Sequence, residues 1–209
     1  RESKKKERNM CGRFENKVNE NLFIQLFKEM NIDLLVDDSI KKNKKENIAP
    51  TDKIYTIRLL NGVFTLSLLN WGIKFKEDSP LIFNSRIETI KEKKYWFTLF
   101  DKYRCIVPMS GFYEWKKEGT RKIPHRIYLP GQEIFFVPAL YYTDKQNNLY
   151  TSLITTVPNN FIKSIHHRMP VILDIKTATE YLNNEANKNL ELCVPLNDSI
   201  TMNAEVVRL

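Results

Sequence analysis

The chain has 209 residues, 42% hydrophobic with 12 Phe and 9 Tyr, which suits one domain with a sizeable core. No apolar run approaches the ~20 residues of a membrane-spanning helix and no signal-peptide core is present, so a soluble protein is expected. Thirty-three Lys+Arg against 25 Asp+Glu give +8; residues 1–10 hold five basic and two acidic side chains, leaving +5 on the body, a balance that favours a polyanionic partner.

Residues 1–9 form a Lys/Arg/Glu leader without an apolar anchor, and disorder is expected there. Asn19 or Glu20 opens an amphipathic helix with Leu22, Phe23, Leu26, Phe27 and Met30 on one face. Residues 37–46 are a charged loop, and Asn47-Ile48-Ala49-Pro50-Thr51 fixes a turn. Strands over Ile54–Leu60 and Val63–Leu69 are joined by Asn61-Gly62, a two-residue hairpin signal. A helix follows over Glu88–Phe100. Strands are predicted over Arg104–Val107, Gly111–Lys116, Arg126–Leu129, Ile134–Tyr141 and Leu149–Thr155, punctuated by Gly119, Pro124 and Pro130-Gly131. A short helix at Asn160–Ser164, a helix from Ile175 or Lys176 to Leu182 and a last strand over Leu190–Pro195 complete the chain. Strands that do not alternate with helices imply an α+β class: a single domain with a curved, mostly antiparallel, barrel-like sheet and flanking helices.

Three Cys and three His show no paired ligand spacing, so no metal and no cofactor is expected. Cys105 and Cys193 sit in apolar, strand-like settings and read as inert core thiols, whereas Cys11 lies in a polar leader beside Gly12 and Arg13. With Met10 removed, Cys11 would present an α-amine and a thiol two atoms apart, a pair that condenses with an aldehyde to an imine and then a thiazolidine ring; the alternative is an ordinary thiol. Glu114 stands between Tyr113 and Trp115. A buried carboxyl there has a raised pKa and is fit for acid/base work; the alternative is a wet residue on an alternating strand.

Met10-Cys11-Gly12-Arg13, Asn47-Ile48-Ala49-Pro50-Thr51, Trp71-Gly72-Ile73, Asn84-Ser85-Arg86-Ile87-Glu88-Thr89, Arg104-Cys105-Ile106-Val107-Pro108, Ser110-Gly111-Phe112-Tyr113-Glu114-Trp115 and His166-His167-Arg168-Met169-Pro170-Val171 occur in that order. In this order they resemble the SOS-response-associated peptidase (SRAP) family from about Met10 to Pro195, and residues 10–209 are read as one SRAP domain. The resemblance implies an intracellular protein, nuclear or cytoplasmic according to its host, acting as a monomer on single-stranded DNA that contains abasic sites. It implies that Cys11 joins covalently to the abasic aldehyde and that Glu114 is the acid/base. Asn84 would orient the sugar or amine. His166, in the place the family pattern gives to His, would protonate the sugar ring oxygen. Arg13, Arg86 and Arg168 would hold phosphates, with Pro50 and Trp71 as wedge or stacking platform; the alternative for Trp71, which follows a strand, is a core residue. Arg126 and Arg104 could extend that surface.

Ten residues precede Cys11, so its nitrogen is an amide until the leader is removed, which the family's peptidase activity would accomplish. A lyase activity on the DNA is a further expectation from the resemblance. Two alternatives stand beside the cross-linking one: a thiol peptidase or self-processing hydrolase using Cys11, Glu114 and His166, and a DNA-binding module without covalent chemistry.

Overall fold

The computed structural model describes residues 12–38, 40 and 46–209. The leader 1–9, Met10, Cys11 and most of the charged loop at 37–46 lie outside the described residues.

The hairpin marked by Asn61-Gly62 is the seed of a closed barrel. Both turn residues have positive φ (49° and 81°), as a tight hairpin turn requires, and they join β4 (Lys53–Leu60) to β5 (Val63–Trp71) in register. β4 pairs with β7 (Arg104–Met109), β7 with β10 (Phe135–Thr143), and β10 with β11 (Leu149–Thr156), all antiparallel. The ring closes where β11 runs parallel to the end of β5, with Tyr150 opposite Asn70 and Thr151 opposite Trp71. The expected α+β class with a barrel-like sheet is what the chain forms, with parallel pairings at this seam and between β2 (Leu34–Val36) and β5.

Alternation along the barrel strands divides the apolar residues into two cores. Ile54, Trp71, Cys105, Val107, Val137, Ala139 and Leu153 fill the interior. Ile57, Leu66, Ile106, Leu140 and Ile154 point outward beneath helices α1 (Glu20–Glu29), α2 (Ile87–Glu92), α3 (Lys94–Lys102) and α5 (Ile175–Asn183). α1 begins at its predicted cap: the Asn19 side chain accepts the Asn21 N–H.

The single helix expected over Glu88–Phe100 is two, broken at Lys93 (φ −103°, ψ 112°). At about 3.6 residues per turn a straight helix would set Ile87 and Ile90 nearly opposite Leu99 and Phe100. All four are buried, so the chain has to turn between the two pairs. The strand expected over Leu190–Pro195 is instead helix α6 (Ala186–Leu192), whose buried Ala186 and Asn189, followed by Cys193, keep helical spacing. A short strand, β13 (Asn203–Val206), was not anticipated; its side chains are mostly exposed and give no alternation.

A second, antiparallel sheet stands over one mouth of the barrel, in the order β13, β9 (Arg121–Tyr128), β8 (Gly111–Glu118), β1 (Phe14–Glu15), β3 (Asn47–Ile48). The chain passes from β7 into β8 at Ser110-Gly111, where a Cβ on Gly111 would stand 3.0 Å from the Ile127 carbonyl oxygen.

At Gly72 the chain leaves the barrel seam: Gly72 N–H donates to Thr151 O (2.8 Å), and the chain returns when Leu153 N–H donates to Phe83 O (3.0 Å). From there β6 (Asn84–Arg86) continues along the same edge of β11, pairing Asn84 with Leu153 and Arg86 with Thr155. Gly72 has φ 120°, and a Cβ there would lie 2.7 Å from the Leu81 side chain. Both the backbone angle and the close approach demand glycine. Gly72→Ala is expected to lower unfolding free energy by about 1–3 kcal/mol in chemical denaturation.

Candidate active site

The first half of β8 sets Glu114 across from His125 of β9 and on the same face as Phe112, whose ring lies in the interior core. Glu114 is therefore buried (2% exposed), which excludes the wet alternative for this residue. Its Oε1 is 3.4 Å from Nδ1 of His166, which stands three residues before β12 (Met169–Pro170), the strand paired with the end of β11. The same Nδ1 is 3.2 Å from the Arg168 main-chain N–H and 3.2 Å from the Arg168 carbonyl. With Nδ1 unprotonated the ring accepts there from the Arg168 N–H; with Nδ1 protonated it donates to the carboxylate or the carbonyl. Moving one proton on His166 thus changes which neighbour it binds. The His166 and His167 rings lie 4.3 Å apart.

β1 leads the N-terminal part of the chain to this carboxyl. Phe14 pairs with Phe112, and Tyr113 N–H donates to Arg13 O at 3.0 Å. Continuing that antiparallel register brings Gly12 level with Glu114. Cys11 itself lies outside the described residues. The other two thiols are buried, and burial pushes both Cys105 and Cys193 up to about 12, so neither is a nucleophile near neutral pH.

β6 delivers Asn84, nearly buried, and Arg86, exposed, along the edge of β11. A small apolar hollow lined by Arg13, Phe14, Trp71, Met109, Phe112, Leu153 and Pro170 joins the two sheets below. Pro50 is half-buried in the turn before β4, which Asp52 closes by accepting the Ala49 N–H (2.7 Å). The next residue, Thr51, is held at φ 82°, a strained angle for a β-branched side chain.

Four residues expected on the DNA surface have interior work instead. Trp71 is fully buried, edge-on to Phe14 and Phe83, with its indole N–H donating to Phe83 O at 2.9 Å. It anchors the departing end of β5 and offers no stacking face. Arg168 is 7% exposed; its fork meets both oxygens of Glu88 at 2.9 Å and the Thr155 carbonyl at 2.8 Å. That tie pins the His166–Arg168 turn to α2. Arg104 donates to the carbonyls of Phe100, Tyr181 and Asn184, closing helix ends. Arg126 is bound to Glu15, with Nε and a terminal nitrogen each 2.8 Å from the same carboxylate oxygen.

Sequence reasoning overlooked Glu15 altogether. It is 4% exposed and also accepts from Lys17 (2.9 Å), Tyr113 OH (3.2 Å) and Ser110 Oγ (3.4 Å). Arg126 is 111 positions away, so no local pattern could have paired them. Burial alone would raise the Glu15 carboxyl, but Arg126 and Lys17 outweigh it and hold the group below the usual range; Arg168 does the same for Glu88. Burial and the Glu15 charge push Tyr113 up to about 12, so it stays a neutral donor.

A family model described as SOS response associated peptidase (SRAP) matches residues 10–208. The chain belongs to the SRAP family. Among SRAP relatives, the abasic site processing protein YoqW of Bacillus subtilis is 36% identical over 184 residues, 83% of this chain and 80% of that protein. The abasic site processing protein YoaM, from the same organism, is 35% identical over 187 residues, covering 83% and 79%. A solved structure from Bacteroides thetaiotaomicron shares the SRAP fold with a TM-score of 0.77 and 25% identity, over 95% of this chain and 92% of that one.

Two outcomes test this geometry. Glu15 and Glu88 have folded-state pKa values below their unfolded ones, so their stabilisation is present above the unfolded carboxyl range near about 4.3 and is lost as pH falls through the folded values. Denaturation monitored below about pH 5 is expected to show falling stability, with a shallower slope in Glu15→Gln. Trp71→Ala is expected to cost about 3–5 kcal/mol of stability, as for a buried aromatic; an unchanged melting temperature would return Trp71 to a surface role.

Proposed function

We propose that this protein recognises abasic sites in single-stranded DNA and traps them covalently through Cys11. Membership of the SRAP family and the names of its relatives, abasic site processing proteins, support DNA damage as the setting and DNA as the partner. The observation that carries the chemical reading is the buried Glu114 carboxyl, 3.4 Å from His166, at the level to which the register of β1 brings Gly12.

The proposed reaction begins with the α-amine of Cys11 adding to the aldehyde carbon of the opened abasic sugar. Glu114 takes the proton released from nitrogen and returns it to the carbinolamine hydroxyl, which leaves as water to give the imine. The Cys11 sulfur then adds to the imine carbon, its proton passes to nitrogen, and a thiazolidine closes. His166 supplies the proton that opens the sugar, Asn84 orients the reacting groups, and Arg13 and Arg86 bind phosphates, with Pro50 beside the strand. Arg168 and Trp71 support the site from beneath. Because residues 1–10 precede Cys11, hydrolysis of the Met10–Cys11 bond is the arming step, and Glu114 assists it.

The experiment is a denaturing gel of a chain beginning at Cys11 with single-stranded DNA carrying one abasic site. A heat-stable shifted band is expected, absent in Cys11→Ala and formed about 100-fold or more slowly in Glu114→Gln. Reversible binding by Cys11→Ala should persist and weaken with salt. An adduct from Cys11→Ala would overturn the assignment. Intact mass of the full chain tests processing: loss of residues 1–10 is expected, with retention in Glu114→Gln, and the reverse pattern would remove Glu114 from that step.

A further inference from the structure

β1 is two residues long, yet the position of Gly12 and Arg13 before it depends on its register against β8. Alternation protects that register only partly. A slip of one residue would turn Phe14, 2% exposed, out of the core, but a slip of two would restore it to the same face. Two residues of slip amount to about 6.6 Å along the strand, enough to carry Gly12 away from Glu114.

The polar contacts of Glu15 discriminate against that slip. Its carboxylate reaches Arg126 and Tyr113 of the second sheet together with Ser110, while its own carbonyl accepts the Ser110 N–H at 2.9 Å. Ser110 Oγ in turn accepts the Lys17 N–H (3.0 Å), and the Asn16 amide donates to Pro108 O (3.2 Å). In any other register the carboxylate would be buried away from Arg126, and an uncompensated buried charge costs several kcal/mol in typical cases, roughly 3–5. A buried ion pair is weak evidence for stability and better suited to fixing one arrangement among several.

We propose that Glu15, through its pairing with Arg126, is a positioning residue that locks the register of β1 and so sets Gly12 level with Glu114. Its catalytic consequence rests on the reading of Cys11 and Glu114 given above; the register lock does not.

The test uses the chain beginning at Cys11 with Glu15→Gln, Arg126→Gln, the double variant and the conservative Arg126→Lys. Adduct formation is followed against DNA concentration, and amide hydrogen exchange is measured at Tyr113 and Ser110, the donors to Arg13 O and Glu15 O. In Glu15→Gln the maximal rate is expected to fall at least tenfold with the half-saturating DNA concentration changed less than twofold. Exchange should speed at least tenfold at Tyr113 and Ser110 while the β4–β5 ladder keeps its protection. The double variant should be no slower than the slower single one, and Arg126→Lys should recover most of the rate.

Unchanged maximal rate and unchanged Tyr113 exchange in Glu15→Gln would overturn the proposal. So would a uniform loss of protection across the barrel, the mark of a purely stabilising pair. If Glu15→Gln does not fold, Tyr113→Phe removes one bond to the carboxylate without touching charge, and the same selective exchange at Ser110 decides. If the unsubstituted chain forms no adduct, the cross-linking reading fails alone, and exchange at Tyr113 and Ser110 still decides the register.

Discussion

One edge of β11 carries most of the architecture. Its backbone groups are taken first by β5 and then, after the excursion at Gly72, by β6, so one continuous ladder both closes the barrel and places Asn84 and Arg86. At its end β11 pairs with β12, which fixes the turn carrying His166 and Arg168. A seam of main-chain hydrogen bonds does not depend on side-chain identity and places site residues to within the precision of a strand.

The charged side chains in the interior follow a consistent logic. Arg168 with Glu88, Arg126 with Glu15, and Arg104 with the helix-end carbonyls of Tyr181 and Asn184 each join segments far apart in sequence. Guanidinium groups suit this because a planar fork can satisfy two acceptors at once. Several arginines that a charge count would assign to a nucleic-acid surface are therefore spent inside. Exposed Arg86 and half-buried Arg13 are what the site keeps facing outward among the arginines of the motifs.

The parts legible in sequence were those governed by short-range rules. The Asn61-Gly62 hairpin, the Asn19 cap and the alternating middle strands announce themselves within a few residues, and the α+β class follows from their order. The motif residues Asn84, Glu114 and His166 were legible only through resemblance, and the structure brings Glu114 and His166 together across two sheets. What stayed hidden depends on long-range pairing. The break at Lys93 follows from two helix halves burying opposite faces, and the inward roles of Arg126 and Arg168 follow from partners up to 111 positions away, whereas Trp71 takes the core place that its position after a strand already offered. The helix at Ala186–Leu192 was missed because Leu190, Leu192 and Cys193 read as an apolar strand, although the buried set keeps helical spacing.

The excursion between Gly72 and Phe83 is pinched at its base by the mutual hydrogen bonds of Ile73 and Ile82, at 3.0 and 2.8 Å. Beyond that clasp Phe75 packs edge-on against Tyr95, Trp96 and Tyr142 and Leu81 lies over Gly72, while residues 76–80 are largely exposed and bear no barrel pairing. The length and composition of residues 76–80 can therefore drift without moving Asn84, because the strand resumes at Phe83 beyond the clasp. A fold of this kind separates a fixed frame from an interchangeable tip, so residues 76–80 can be exchanged by loop grafting while Phe75, Leu81 and the strands on either side stay in place.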